Sequence, residues 1–437
     1  MVAATENCAG KARGSALTSR IVRIRCATAL ARRALLFASM AFAVPGYAEA
    51  REISLDEAVA IALDNNPDYA AAARELTVAR AELERAGYVS QFNPELESSG
   101  DYKQRSDRSN SQDWRVGLSQ QLEIFGQPAL RRQSARFAFD RTSADIRNQA
   151  RLLSAGVELT FYESVRARSE TDLFFELAEL DRKLNDAGQA RFSAGEISQI
   201  DANLARVRFG ESERALIESR TRYRLERSSL GRLLGEAAGP EPEPRGPMAI
   251  EPLRVESDKL LDIARRNRPD YQASQLEVAR LKNEVLLNAR LALPNPTIGA
   301  FGAHENNTEH FAGITLGVPL PIFNRRQAEA TAIAGRLAQA KDRQRALELN
   351  LEREVRDAWQ RYVSALEVVS VNQREVVQPA RESFELLEEA FSAGKLDLLR
   401  LSLAERQAFE ARMGYVRAWF DLVAARVALE LALGGQI

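Results

Sequence analysis

The sequence predicts a mostly α chain that carries four β-strands of membrane-crossing length and is built twice over. Three observations predict it. First, Phe192-Ser193-Ala194-Gly195 recurs as Phe391-Ser392-Ala393-Gly394. One fixed offset then aligns Leu204-Ala205 with Leu403-Ala404, Glu211 with Glu410, Arg227 with Arg426, and Leu234-Gly235 with Leu433-Gly434. Internal repeats of this kind decide the fold before any local reading does. Second, no proline occurs between Ala129 and Gly239, nor between Ile322 and Gln378. Third, charged residues make up 28% and aromatics 7%, with Ala, Leu, Arg and Glu dominant. That composition belongs to long helices and coiled coils.

The front of the chain reads as an export signal, residues 1–50. Arg20, Arg23, Arg25, Arg32 and Arg33 precede an apolar run from Ala34 to Val44, and Ala48-Glu49-Ala50 follows as a cleavage site. The run is shorter than the ~20 residues of a spanning helix. Both cysteines, Cys8 and Cys26, fall within the segment to be removed. The mature chain is then thiol-free, which excludes disulfides and thiolate metal sites. It also carries a small acidic excess, so it lacks the basic footprint of a nucleic-acid binder.

The first repeat, 51–238, opens with a helix from Ser54 to Gly87. Ser54 and Glu57 form a capping-box pattern, Leu55, Ala58, Val59, Ala62 and Leu63 make an apolar stripe, and Pro67 breaks or bends it. From Asn93 the period changes to two. Trp114, Val116, Leu118, Gln120, Leu122 and Ile124 point one way, and Arg115, Gly117, Ser119 and Gln121 the other. The partner strand runs from Pro94 to about Lys103, with a polar turn around 105–113. The second repeat, 257–437, writes the same pair. Ala312, Ile314, Leu316, Val318, Leu320 and Ile322 alternate with small or polar residues, and the partner is Pro296 to about Ala303. Strands of about ten residues suit a tilted bilayer crossing. The other reading is two soluble hairpins half-buried on helices, but isolated hairpins are marginal. With an export signal, a shared barrel is favoured.

The proline-free stretches then predict helices of about 60 residues, about 90 Å long at 1.5 Å per residue. Each folds back at its FSAG turn. Residues 239–256 hold Pro240, Pro242, Pro244, Pro247 and Pro252 and read as an extended linker between the repeats. No P-loop, Rossmann glycine pattern or His-Glu-x-x-His motif appears, so no enzyme and no cofactor is expected. The two histidines stand in His304-Glu305-Asn306-Asn307-Thr308-Glu309-His310. Two His and two Glu can hold a metal ion. The plainer reading is a polar hairpin turn.

Taken together, the repeated Asn-Pro, β-hairpin, Leu-x-x-Phe turn and Phe-x-x-Gly tip resemble the outer membrane factors of the TolC-like family, from Ser54 to about Gly435. The segments Gly117 to Gly126 and Val318 to Arg326 are most similar to its heavy-metal, CzcC-like branch. The resemblance implies a homotrimer in the outer membrane. Four strands from each chain would form one twelve-stranded barrel, above a periplasmic helical barrel. The residues agree, because four strands cannot close a barrel and open edges are not tolerated in lipid. The lipid-facing set would include Trp114, Val116, Leu118, Leu122, Ile314, Leu316 and Val318. The resemblance further implies a passive duct, whose tips gate it and dock on a periplasmic adaptor of a resistance-nodulation-division pump. The family's tip pattern stands here as Arg191, Gly195 and Asp201, beside Phe192. The second tip has Phe391 and Gly394 but departs at Arg400, where relatives often place an acid; Asp397 is near but out of step. Heavy-metal cations are the expected cargo, with drug efflux or type I protein secretion as the alternative. A soluble periplasmic coiled-coil scaffold or adaptor is the rival of another class.

Overall fold

The computed structural model describes residues 52–104, 110–235, 241–248, 253, 256–306, 308–393 and 398–435. The export segment lies outside them, as do Gly394, Asp397 and residues 105–109 of the first hairpin turn.

The first repeat begins with a two-residue strand β1 (Glu52–Ile53), α1 (Leu55–Asn65) and α2 (Pro67–Ala86). Ser54 caps α1 by accepting the Glu57 N–H at 3.3 Å. Asn66 makes the corner at Pro67. Its Oδ1 accepts the Asp68 and Tyr69 N–H groups, at 3.1 and 3.0 Å, and its Nδ2 donates to the Leu233 carbonyl at 3.0 Å. Pro67 occupies the first helical position, where its missing N–H costs nothing. Strands β2 (Glu95–Gln104) and β3 (Asn110–Gln121) follow. Next come α3 (Gln127–Ser193), 67 residues without a break, and its return helix α4 (Gln199–Leu233).

The described part of the linker runs back to the front of the chain. Its β4 (Glu243–Pro244) pairs in parallel with β1. The second repeat comprises α5 (Leu260–Asn267), α6 (Pro269–Leu291), β5 (Thr297–Glu305), β6 (Glu309–Gly317) and α7 (Gln327–Val371). A π-helical turn (Asn372–Val377), α8 (Gln378–Ser392) and the return helix α9 (Leu398–Leu433) complete it. The expected single helix is therefore interrupted once. Pro379 lacks an N–H and its ring would press on the carbonyl four residues earlier. Gln378 N–H accordingly reaches back five residues, to Gln373, the widened turn that relieves such a clash.

The return helices are about half as long as the outgoing ones, so they cover only the distal part of each. The proximal part of α3 packs on α2 and α6 instead. The repeated Leu-Gly marks where these layers meet. Gly235 (φ +75°) lies against Asn65, and a Cβ there would come within 2.4 Å of the Asn65 carbonyl oxygen. Gly434 (φ +104°) lies against Asn267 in the same way, at 2.7 Å from its carbonyl carbon. Each return helix thus ends on the proline break that opens its own repeat. The main core sits at this level. One cluster includes Ala58, Ala62, Phe161, Leu230 and Trp419; the other includes Leu260, Leu351, Tyr362, Leu429 and Leu433. Toward the tips, Leu173, Met413 and Val416 form a smaller buried cluster.

Candidate functional site: strand faces, tips and the seam between hairpins

The two hairpins join into one antiparallel sheet, ordered β2-β3-β5-β6. Register puts Leu96, Leu118, Ala300 and Ile314 in one row, and Ser98, Val116, Gly302 and Ala312 in the next. Trp114 lies one row further on, with Ile298 and Leu316 sharing the row on the other side. All of these side chains fall on one face. The large ones are open: Ile314 is 88% exposed, Leu96 74% and Leu316 72%. A contiguous apolar surface of this kind marks a membrane or partner contact. Leu96 and Ile298 belong to it although their strands alternate only weakly, with glycine and serine between them.

Two expected members fall outside the strands. β3 ends at Gln121 and β6 at Gly317. Leu122 makes one last bond, donating its N–H to the Pro296 carbonyl at 2.9 Å, and then the chain turns toward α3. Val318 is followed by Pro319 and Pro321, which cannot donate to a ladder. Leu122, Ile124, Val318, Leu320 and Ile322 are therefore turn residues at the helix-facing end of the sheet.

The opposite face carries Glu97, Ser99, Asp101, Arg115, Ser119 and Thr315. Phe301 lies there between two glycines, its register partners Gly117 and Gly313. A Cβ at Gly313 would meet the Phe301 ring at 2.8 Å. Arg115 covers the same ring, 4.6 Å from its centroid. Alternation also separates the metal-ligand candidates. His304 and His310 are on the apolar face, and Glu305 and Glu309 on the other, so the four do not converge. Among the described residues no group of three His, Cys, Asp or Glu is placed to hold a metal ion.

At the first tip the repeated motif builds a turn. Gly195 adopts φ +77°. Glu196 N–H donates to the Arg191 carbonyl at 2.9 Å, and Gly195 N–H to that of Phe192 at 3.0 Å, the glycine termination of a helix. Three residues later α4 starts with a complete capping box. Asp201 N–H donates to Ser198 Oγ at 3.2 Å, and the Asp201 carboxylate accepts from the Ser198 N–H at 3.3 Å and hydroxyl at 2.7 Å. Arg191, Gly195 and Asp201 are thus spaced to make this turn. Phe192, Ile200 and Leu204 are exposed around it. At the second tip Phe391 lies in α8 and Arg400, exposed, in the first turn of α9. Gly394 and Asp397 lie outside the described residues.

Sequence reading missed the seam where α3 meets α9. Its upper part is held by opposite charges. Glu170 of α3 is buried and receives Arg166 at 3.2 Å, Arg222 of α4 at 3.5 Å and Arg417 of α9 at 3.9 Å. Glu176 pairs with Arg412 at 2.5 Å. Closer to the tips the pattern reverses, and two buried acids line one cleft of about 210 Å³ with Arg208, Ser212 and Ser402. They are Asp181 of α3 and Glu405 of α9. Burial pushes the Glu405 carboxyl up to about 8, the Asp181 charge adds to this, and Arg208 partly offsets it. Burial also raises Asp181, with Ser212 and Arg208 opposing. Glu405 Oε1 has no hydrogen-bond partner.

No described helix is long and apolar enough to cross a membrane. Among the described residues, the surface suited to lipid is the strand face. The chain carries this sheet at one end and long back-folded helices at the other. It belongs to the outer membrane efflux protein family, whose model matches residues 58–236 and 260–435. It is 24% identical to the cobalt-zinc-cadmium resistance protein CzcC of Cupriavidus metallidurans over 384 residues, 87% of this chain and 90% of that one. It is also 24% identical to the pyoverdine export outer membrane protein OpmQ of Pseudomonas putida over 411 residues, 87% and 86% of the two chains. In fold it is similar to CusC, whose crystal structures address folding and transmembrane channel formation (TM-score 0.71, 19% identity, 87% and 92% coverage). The protein is an outer membrane efflux channel, a passive conduit rather than an enzyme. The soluble scaffold or adaptor is thereby set aside. Channels of this family are trimeric and work in tripartite assemblies with an adaptor and a pump.

Proposed function

We propose that three copies of this chain form the outer-membrane duct of a resistance-nodulation-division efflux system for heavy-metal cations. The observation that carries the assembly is the sheet. It has one apolar face, and its outer strands β2 and β6 pair with no other strand among the described residues. In lipid every strand edge must be paired. Pairing β6 of one copy with β2 of the next closes a twelve-stranded barrel by threefold symmetry. Apolar side chains left open on the helices fit the same arrangement: Ile200, Ile217 and Leu225 on α4, and Val363, Val371 and Leu386 on α7 and α8. The tips, with Phe192, Ile200 and Leu204 open, are the surface offered to a periplasmic adaptor, and residues 1–50 direct export.

Cargo is inferred from the similarity to CzcC, spread over nearly the whole of both chains. OpmQ, equally identical, supports a second reading in which the solute is organic. Complementation separates them. In a host deleted for this gene, restoring it should restore growth on cobalt, zinc or cadmium salts and leave tolerance to organic compounds unchanged. Restoration of organic tolerance alone would assign the duct to the second reading. The detergent-purified protein should have the mass of a trimer, and a monomer soluble without detergent would overturn the assembly.

A further inference from the structure

The whole chain has two histidines, and the fold brings them ring to ring. His304 of β5 and His310 of β6 are direct register partners. Both project from the apolar face, their ring centroids are 4.4 Å apart, and the planes are inclined by 31°. His304 Nδ1 is buried and lacks a hydrogen-bond partner. Trp114 of β3 completes the row, 6.2 Å from His304. This row lies at the end of the sheet remote from the helices, beside the turn at Asn306.

Directly opposed strand residues have Cβ atoms about 4.5–5.5 Å apart. Two imidazoles so mounted can reach a single ion at about 2.0–2.1 Å each. Imidazole suits copper, nickel and zinc, whereas magnesium and calcium prefer oxygen. An aromatic belt would explain one ring at this level, but Trp114 and Tyr102 already supply that chemistry. A belt does not explain an imidazole nitrogen held without a partner against a second imidazole.

We propose that His304 and His310 chelate one divalent transition-metal ion per chain, with water in the remaining positions and Cu²⁺ bound most tightly. The site stands on the outer wall near its extracellular rim, away from the conduction path. It is independent of the cargo assignment, since a duct for organic solutes would carry it equally.

The test uses the full-length channel in detergent, purified without a polyhistidine tag, and titrated with Cu²⁺. Electron paramagnetic resonance of the parent should show one bound Cu²⁺ per chain with two imidazole nitrogens. Loss of even an outer partner of a metal ligand costs about 10–100-fold in affinity. His304→Ala and His310→Ala should therefore each weaken binding by at least about tenfold, while trimer mass is kept. A variant that binds as the parent does would overturn the site. So would a parent spectrum without two imidazole nitrogens, a result that needs no variant to fold.

Discussion

The two repeats are alike in their strands and unlike in their long helical hairpins. Their strands share one sheet, and their return helices end on equivalent proline breaks. Their hairpins differ. The outgoing helix of the first is one unbroken run of 67 residues. That of the second is broken by a π turn at Asn372–Val377, roughly two-thirds of the way to its tip. The first tip has a reciprocal cap, Ser198 with Asp201. In the second, Asp397 aligns with Ser198, but Arg400 takes the place of Asp201. A cation in the first turn opposes the helix dipole, where an acid would complement it. The duplicated chain thus couples an unbroken hairpin, whose return helix is reciprocally capped, to one interrupted by a π turn.

The largest expected effect tests the part that is alike. Leu118 and Leu316 lie on the same apolar face, one in each repeat. Arg at either should cost about 2–4 kcal/mol near the midplane, and both should cost about the same. Arg at Ser119 or Thr315, on the opposite face, should be tolerated. Trimer yield and urea midpoints in detergent report the difference. Equal damage on both faces would mean that this assignment of lipid and lumen faces is wrong.

Next comes the seam that joins the unlike hairpins. Glu405 has a folded-state value of about 8 against an ordinary 4.5, so the folded seam holds its proton more tightly than the unfolded chain does. Below 4.5 both states are protonated and nothing is lost. Between 4.5 and about 8 the unfolded state alone ionises, so stability falls as pH rises, and above about 8 the loss levels off. Arg208 and Asp181 face it from α4 and α3, and Arg406 and Glu410 are nearby on α9. Glu405→Gln should remove this slope and stabilise the seam by about 1–3 kcal/mol at pH 8. Thermal unfolding at pH 5.5 and 8.5 measures it. A parent more stable at the higher pH, with no change in the variant, would mean that the acids do not control the seam.

A smaller effect isolates the caps. Asp201→Ala removes the acid from the first capping box and should cost about 1 kcal/mol. Hydrogen exchange at the start of α4 should then speed up relative to the parent. If the α4 amides remain as protected as before, the capping box does not hold the start of α4.

The duplication was legible because the chain repeats its own wording, and the paired strands, the first tip turn and the placement of the prolines because each is local. Period two marked Leu118 and Leu316, and the Gly195 turn was marked by its copy. The ends of β3 and β6 were not, because alternation runs on through Leu122, Ile124, Val318 and Ile322 after hydrogen bonding has stopped. Pro319 and Pro321 were the available signal. Pro379 likewise marked the break but not its form, since widening to a π turn depends on the helix continuing on both sides. The seam had no signature at all. Asp181 and Glu405 lie in different repeats and meet only through the packing of α3 on α9.

The smallest effect concerns Asp201 and Arg400, which hold equivalent places in the two tips. With threefold symmetry the tips alternate around the mouth, so acid and base are expected on neighbouring hairpins. Asp201 already caps its own helix through Ser198, and an exposed pair adds only about 0–1 kcal/mol. A charge swap at Asp201 alone would mix the two roles, so Asp201→Asn is the cleaner first step. It keeps a side-chain acceptor for Ser198 and removes the charge. Arg400→Asp then tests the other side, and Asp201→Arg with Arg400→Asp restores the opposite signs at the expense of the cap. If the charges hold the mouth, Asp201→Asn and Arg400→Asp should each raise single-channel conductance in planar bilayers. The rise should shrink at high salt, where such pairs are screened. The double swap should recover part of the closure. If all three variants conduct like the parent at both salt concentrations, this pair plays no part in holding the mouth.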